Sequence, residues 1–212
     1  MIRKVAYNYT KEFKGSFGQV RDVIIIEATW LGRYEPYTKQ KIASYIYDMM
    51  QKANQLELAT EYGLIPFEVQ VLHVNRTICE KIMSLVRFSH GADPIKDLKN
   101  KIRHTYDIHQ LLQVVEVKQF FESSDFDDML HLVAQDDFES FKSNNEWLYQ
   151  HPKDALLFKD VRMVWSQLEN AFVNDFRNLV YGTLPKGSSI LATLELVSQR
   201  LNDIVWSPSK SL

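Results

Sequence analysis

The hydrophobic period of this chain changes once, near residue 75, and that change limits the folds open to it more than any other feature. Upstream, apolar residues follow strand-like patterns at residues 2–9, at 20–30 (VRDVIIIEATW) and at 66–74 (PFEVQVLHV). The β-branched run of the second suits a strand covered on both faces, and the third alternates and enters on a proline. KGSFG, between the first two, has the composition of a hairpin turn, and RYEPY after Gly32 is a further turn signal. From about Lys39, KQKIASYIYDMMQKANQLELATEY is helical in composition. So few strands predict an incomplete sheet, whose edge awaits another segment.

From Thr77 onward the period is helical. Thr77 and Glu80 have capping-box spacing, and Ile78, Ile82, Leu85 and Val86 face inward until HGADP stops the helix near Gly91. The next helix opens between Asp93 and Lys96, with Leu98, Ile102, Thr105, His109 and Leu112 on one stripe and Tyr106 and Ile108 widening it. Further helices are expected at 117–122, 127–135, 138–142, 152–158, 162–180 and 190–204, before a frayed tail. Trp165, Leu168, Phe172, Phe176 and Leu179 recur at helical spacing and are expected to fill a bundle interior rather than stack on bases. The fold class is therefore α+β: a small β-rich portion at 1–75, a larger helical bundle at 76–206, and a tail at 207–212.

Composition excludes several classes. With 45% hydrophobic and 25% charged residues over 212 positions, the chain buries a real core. A net charge of -2 gives no basic field for nonspecific nucleic-acid binding, and no DNA partner is predicted. Cys79 is the only cysteine, which excludes an internal disulfide framework and a multi-cysteine zinc site and suits a reducing, cytoplasmic setting. Its apolar neighbours predict a packed thiol rather than a reactive one. No window reaches the roughly 20 apolar residues of a membrane span, and the first residues lack a secretory core. There is no P-loop, dinucleotide fingerprint or Gly-x-Ser-x-Gly elbow.

One segment concentrates chemistry. In KNKIRHTYDIHQLL, Arg103 and Asp107 lie four apart, with His104 three before Asp107 and Gln110 three after, so these side chains share a face away from the apolar stripe. The same spacing also describes a solvated surface carrying an Arg103–Asp107 pair. Lys81 sits at the edge of its own helix's apolar face, where its stem is covered and its ammonium needs a partner. Asp107 is the candidate, with a snorkelling lysine the alternative. His73, His104, His109 and Asp107 are not related by any ligand motif, and no metal site is predicted from them.

RTICEKIMSLVRFS at 76–89 and IRHTYDIHQLL at 102–112 together resemble the two C-terminal motifs of the AbiEii/AbiGii abortive-infection toxins, a nucleotidyltransferase-like family. The resemblance rests on a strand, then a helix bearing Glu-Lys, then a helix bearing Arg, Tyr and Asp, and it covers most of this chain but not most of the family's length. It implies Lys81 and Asp107 as catalytic residues, with Arg103, His104 and Glu27 near the substrate, Glu27 standing where the family has a third strand carboxylate. It also implies Mg²⁺ and a nucleoside triphosphate, an RNA or protein acceptor, and a cognate antitoxin. Where the family pattern reads Arg-Asp-x-Tyr-Asp, this chain reads Arg103-His104-Thr105-Tyr106-Asp107.

The family's metal-holding segment, a Gly-Ser turn followed by an Asp-x-Asp strand, has no counterpart here. Gly15-Ser16 is followed only by Asp22-Val23-Ile24, and Asp125-Phe126-Asp127 has the spacing but the context of a helix start. The expectation is a toxin scaffold that is an incomplete catalytic unit, not binding Mg²⁺-nucleotide by itself. The alternative is a noncatalytic protein-interaction module that retains the scaffold.

Overall fold

The computed structural model describes residues 2–10, 23–29, 33, 35–141 and 144–207. The KGSFG turn, Gly15-Ser16, Asp22 and the last five residues of the tail lie outside the described residues. The fold is α+β, and the chain divides into two compact units, one of Tyr34–His73 and one of Met1–Arg33 with Val74–Leu212.

The larger unit opens with β1 (Ile2–Asn8) and β2 (Val23–Thr29), paired antiparallel as a two-stranded sheet. The register sets Val5 opposite Ile26 and Tyr7 opposite Ile24, while Lys4 meets Glu27 on the other face at 2.8 Å. The expectation of a strand covered on both faces is corrected: Val5, Tyr7, Ile24 and Ile26 are each more than half exposed. A β-branched run marks a strand but does not supply the second layer that would bury it. The incomplete sheet expected from the scarcity of strands is what forms.

The smaller unit holds β3 (Tyr37–Ile42), α1 (Tyr45–Lys52), α2 (Leu56–Glu61) and β4 (Phe67–Leu72). Here the reading of residues 39–42 as helix is overturned. They form β3, antiparallel to β4, with Lys39 reaching Glu68 at 3.2 Å. Pairing with a strand 30 residues later outweighs local helix propensity. The helix waits for Ser44, whose hydroxyl oxygen accepts from the Tyr47 N–H at 3.1 Å. It ends before Asn54, whose φ of 56° is left-handed.

Helix α3 (Val74–Phe88) is the centre of the larger unit, burying Ile78, Cys79, Ile82, Met83, Leu85 and Val86. It starts a turn before Thr77, which places Thr77 inside the helix rather than at its cap, and Glu80 accepts from Arg76 Nε at 2.9 Å. Asp93 caps α4 (Pro94–Asn100) through the Lys96 N–H, and a turn at 101–102 separates it from α5 (Arg103–Leu111). The single helix expected across this region is thus two. Next come α6 (Val115–Glu122) and α7 (Ser124–Ser140), the latter running through both segments expected at 127–142. Then follow α8 (Leu156–Lys159), α9 (Val161–Asn170) and α10 (Gly187–Asn202). Helix α3 packs on α5 and α7, and α10 packs on α5 and α9.

The helix expected at 162–180 keeps α geometry only to Asn170. It loosens into a π turn at Ala171–Phe176 and tightens into a 3₁₀ turn at Arg177–Leu179. Trp165, Leu168, Phe172 and Phe176 are buried as expected, but Leu179 is exposed. A π turn adds a residue per turn and rotates everything after it, so the 3.6-residue extrapolation to Leu179 fails.

Candidate active site

Two helices build the candidate site. Ile78, Ile82 and Leu85 turn one face of α3 into the core, which leaves Lys81 at the margin of that face. Thr105 and Ile108 do the same for α5 and leave Asp107 at its margin. Where the margins meet, Lys81 Nζ donates to Asp107 Oδ2 at 2.7 Å, the distance of a charge-assisted bond. The side chains remain 25% and 33% exposed, so the pair lies open to an approaching ligand. Lys81 takes the place beside Asp107 that helix spacing also offers to the exposed Arg103.

His104 completes the cluster. Expected on a polar face, it is buried instead, on a helix that packs against α3. Its Nδ1 stands 3.8 Å from Asp107 Oδ2, beyond hydrogen-bond distance, and has no hydrogen-bond partner among the described residues. Burial pushes the imidazole pKa down and Lys81 and Arg103 reinforce the shift, while Asp107 opposes it. The ring is therefore neutral at pH 7. For Asp107, burial pushes the pKa up, but His104 and Lys81 outweigh it and hold the carboxyl below its usual range. The site at rest is an ion pair beside an uncharged ring.

Glu27 meets Lys4 across the β1–β2 hairpin at 2.8 Å. His109 faces α10: Thr193 donates its hydroxyl to the Ser189 carbonyl at 3.0 Å, so His109 Nδ1–H is the donor in its own 2.7 Å contact with Thr193. Cys79 is fully buried, and burial pushes its thiol pKa up, as suits a packed residue. Asp125 and Asp127 occupy the first turn of α7 with Phe126 in the core, and Asp127 is bound by Arg200. That carboxylate pair does not fit a metal, since one member is already neutralised by a guanidinium. Among the described residues no group of three or more His, Cys, Asp or Glu side chains could hold a metal ion. No described helix is long and apolar enough to cross a membrane.

Sequence reasoning missed a second charged cluster. Arg76, 1% exposed, donates to buried Asp136 of α7 at 2.5 Å and to Glu80 at 2.9 Å, and Arg33 Nε stands 2.9 Å from the other Asp136 oxygen. Beside it, burial pushes the Asp137 carboxyl up to about 6, with Arg87 opposing. The available signal was Arg76 itself, which lies three residues before Cys79 and seven before Met83, on the apolar stripe of α3. A charge on such a stripe needs a buried partner.

The strand-to-helix junction, the Lys81–Asp107 contact and the order of helices after it form the frame on which comparison with known proteins bears. Residues 2–193 match the family described as nucleotidyl transferase AbiEii toxin, type IV TA system. The chain belongs to the AbiEii family. No curated protein and no solved structure matches it. AbiEii proteins are nucleotidyltransferase-like toxins of toxin–antitoxin systems, so membership implies a cognate antitoxin and, for the family in general, a nucleoside triphosphate with a divalent metal. Within this AbiEii chain, α3 and α5 carry the two segments through which the resemblance was visible in sequence.

Proposed function

We infer that this chain supplies the lysine–aspartate part of an AbiEii nucleotidyl-transfer site, working in the cytoplasm on an RNA or protein acceptor. Lys81 is the cation that meets the nucleotide phosphates, and Asp107 is the carboxylate that aligns it. Arg103 and His104 flank the phosphate path, and Glu27 is the strand carboxylate of the same centre. The observation that carries this reading is the 2.7 Å contact joining Lys81 to Asp107 across two helices of an AbiEii chain. A partly exposed ammonium held in place by one carboxylate is oriented before a polyanion arrives, so less entropy is lost when it binds.

The chain does not complete the site by itself. Nucleotidyl transfer needs a metal to offset triphosphate charge, and its sequence carries no Gly-Ser turn followed by paired strand carboxylates to hold one. One ammonium supplies a single positive contact. The test is to incubate the purified chain with each labelled nucleoside triphosphate, Mg²⁺ and an RNA or protein extract, beside Lys81→Ala and Asp107→Ala variants. Expected are no labelling and only weak, about millimolar nucleotide binding that is lost in Lys81→Ala. Robust labelling that either substitution abolishes would show a complete active site here, and nucleotide binding indifferent to Lys81 would remove the site assignment altogether.

A second reading has its own support. The exposed Val5, Tyr7, Ile24 and Ile26 face of the β1–β2 sheet is the kind of surface a noncatalytic protein-interaction module presents. Under that reading Asp107→Ala abolishes no biological effect of the chain, whereas a charge placed on this face does.

A further inference from the structure

Asp107 has Lys81 and the ionisable ring of His104 beside it and bonds only Lys81. Lys81 is in contact at 2.7 Å, and His104 stands off at 3.8 Å with its Nδ1 unpartnered and its side chain only 9% exposed. The two neighbours differ in freedom. Lys81 is a flexible, partly solvated ammonium able to swing toward a ligand, whereas His104 is a buried ring on a short side chain. We propose that Asp107 is handed between them: Lys81 holds it in the free protein, and an incoming polyphosphate draws Lys81 away and leaves Asp107 to His104, which takes up a proton from water. This rests on the reading of Lys81 as the phosphate-facing cation and gives His104, already placed in that site, a positioning role.

The exchange follows from charge balance. Losing Lys81 would strand an ionised, half-buried carboxylate, which is costly unless another cation replaces it. A shift of about 1 Å closes the His104 gap to hydrogen-bond distance. No proton passes between Lys81 and Asp107. The ammonium stays protonated on the phosphate, Asp107 stays ionised, and the solvent proton makes His104 an imidazolium donating Nδ1–H to Asp107 Oδ2. The site thereby gains one positive charge as the polyanion arrives. The charges acting on His104 are Lys81 from α3 and Arg103 and Asp107 from its own helix, while α10, on another side of α5, presents Thr193 to His109. Removing Lys81 takes away a repulsive charge and frees the attractive one, so both effects favour protonation.

Because binding and proton uptake are linked, polyphosphate affinity rises as pH falls, by up to about tenfold per pH unit between the pKa of His104 in the free and bound protein. The probe is inorganic pyrophosphate, and the readout is the His104 ring titration by NMR, assigned by its loss in His104→Gln. In the parent chain His104 is expected to titrate below the ordinary 6.5, and above it once pyrophosphate saturates the protein. Lys81→Met raises it without ligand, and Asp107→Asn abolishes both increases. His104→Gln flattens the pH dependence of pyrophosphate affinity relative to the parent, which cancels the ligand's own protonation. An unmoved His104 titration in folded Lys81→Met, or in a parent chain that binds pyrophosphate, overturns the exchange. If Lys81→Met behaves as expected but pyrophosphate leaves Lys81 unperturbed, the ligand-driven step fails and so does the phosphate reading of the site.

Discussion

Arg76 and Asp137 show how single charges set the stability of this protein. Arg76 and Asp136 are both almost completely buried, and removing one member leaves the other a single, more exposed partner, Glu80 for Arg76 or Arg33 for Asp136. Arg76→Met is expected to lower unfolding free energy by about 3–5 kcal/mol in urea melts, and Arg76→Met with Asp136→Leu to recover much of that loss. Asp137 acts in the opposite sense. Its folded-state pKa of about 6 lies above the unfolded value near 3.8, so between those limits the folded protein binds the extra proton and stability falls as pH rises. Asp137→Asn should therefore raise the unfolding free energy from urea melts at pH 7.5 by on the order of 2 kcal/mol, with the gain gone by about pH 4. A parent chain whose stability is flat across this window would disprove the shifted carboxyl.

At the scale of elements, the segment from α9 through its π turn carries both a deep core position and an exposed one of similar chemistry. Phe172 has no exposed surface and lies against Trp165 and Phe176, with ring centroids 5.6 Å and 5.7 Å away. Phe172→Ala is expected to cost about 3–5 kcal/mol, since rings on both sides resist collapse into the space. Leu179→Ala, seven residues on, should change stability by no more than about 0.5 kcal/mol, because the π turn has rotated that side chain outward. Equal costs in denaturant melts would mean that the segment is continuous α-helix after all.

Over the whole molecule, cohesion is uneven. The buried hydrophobic cluster runs from Ile78 to Ile204 and draws only on helices and their connecting turns. Both sheets are two-stranded, and an isolated pair of strands is marginal in water. Amide hydrogen exchange should therefore be fastest at strand amides in β1–β2 and β3–β4 and slowest at the buried middle of α3, around Ile82, with a difference of several orders of magnitude. Protection of the β1–β2 amides equal to that of α3 would show that the hairpin face is covered in solution.

The sequence by itself determined the change from strand to helix near residue 75, the apolar stripe of α3 and the aromatic interior of α9, because these depend on periodicity, which is local. It also pointed to the two segments that bear the candidate site, since Lys81 at the edge of one stripe and Asp107 at the edge of another both need a partner of opposite sign. Only the tertiary structure decided that these two meet, that His104 lies inward beside them, and that Arg76 reaches Asp136 across 60 residues. It alone also decided that residues 37–42 are a strand. Each of these depends on which element packs against which, and burial of a polar group is decided by its neighbours across the fold.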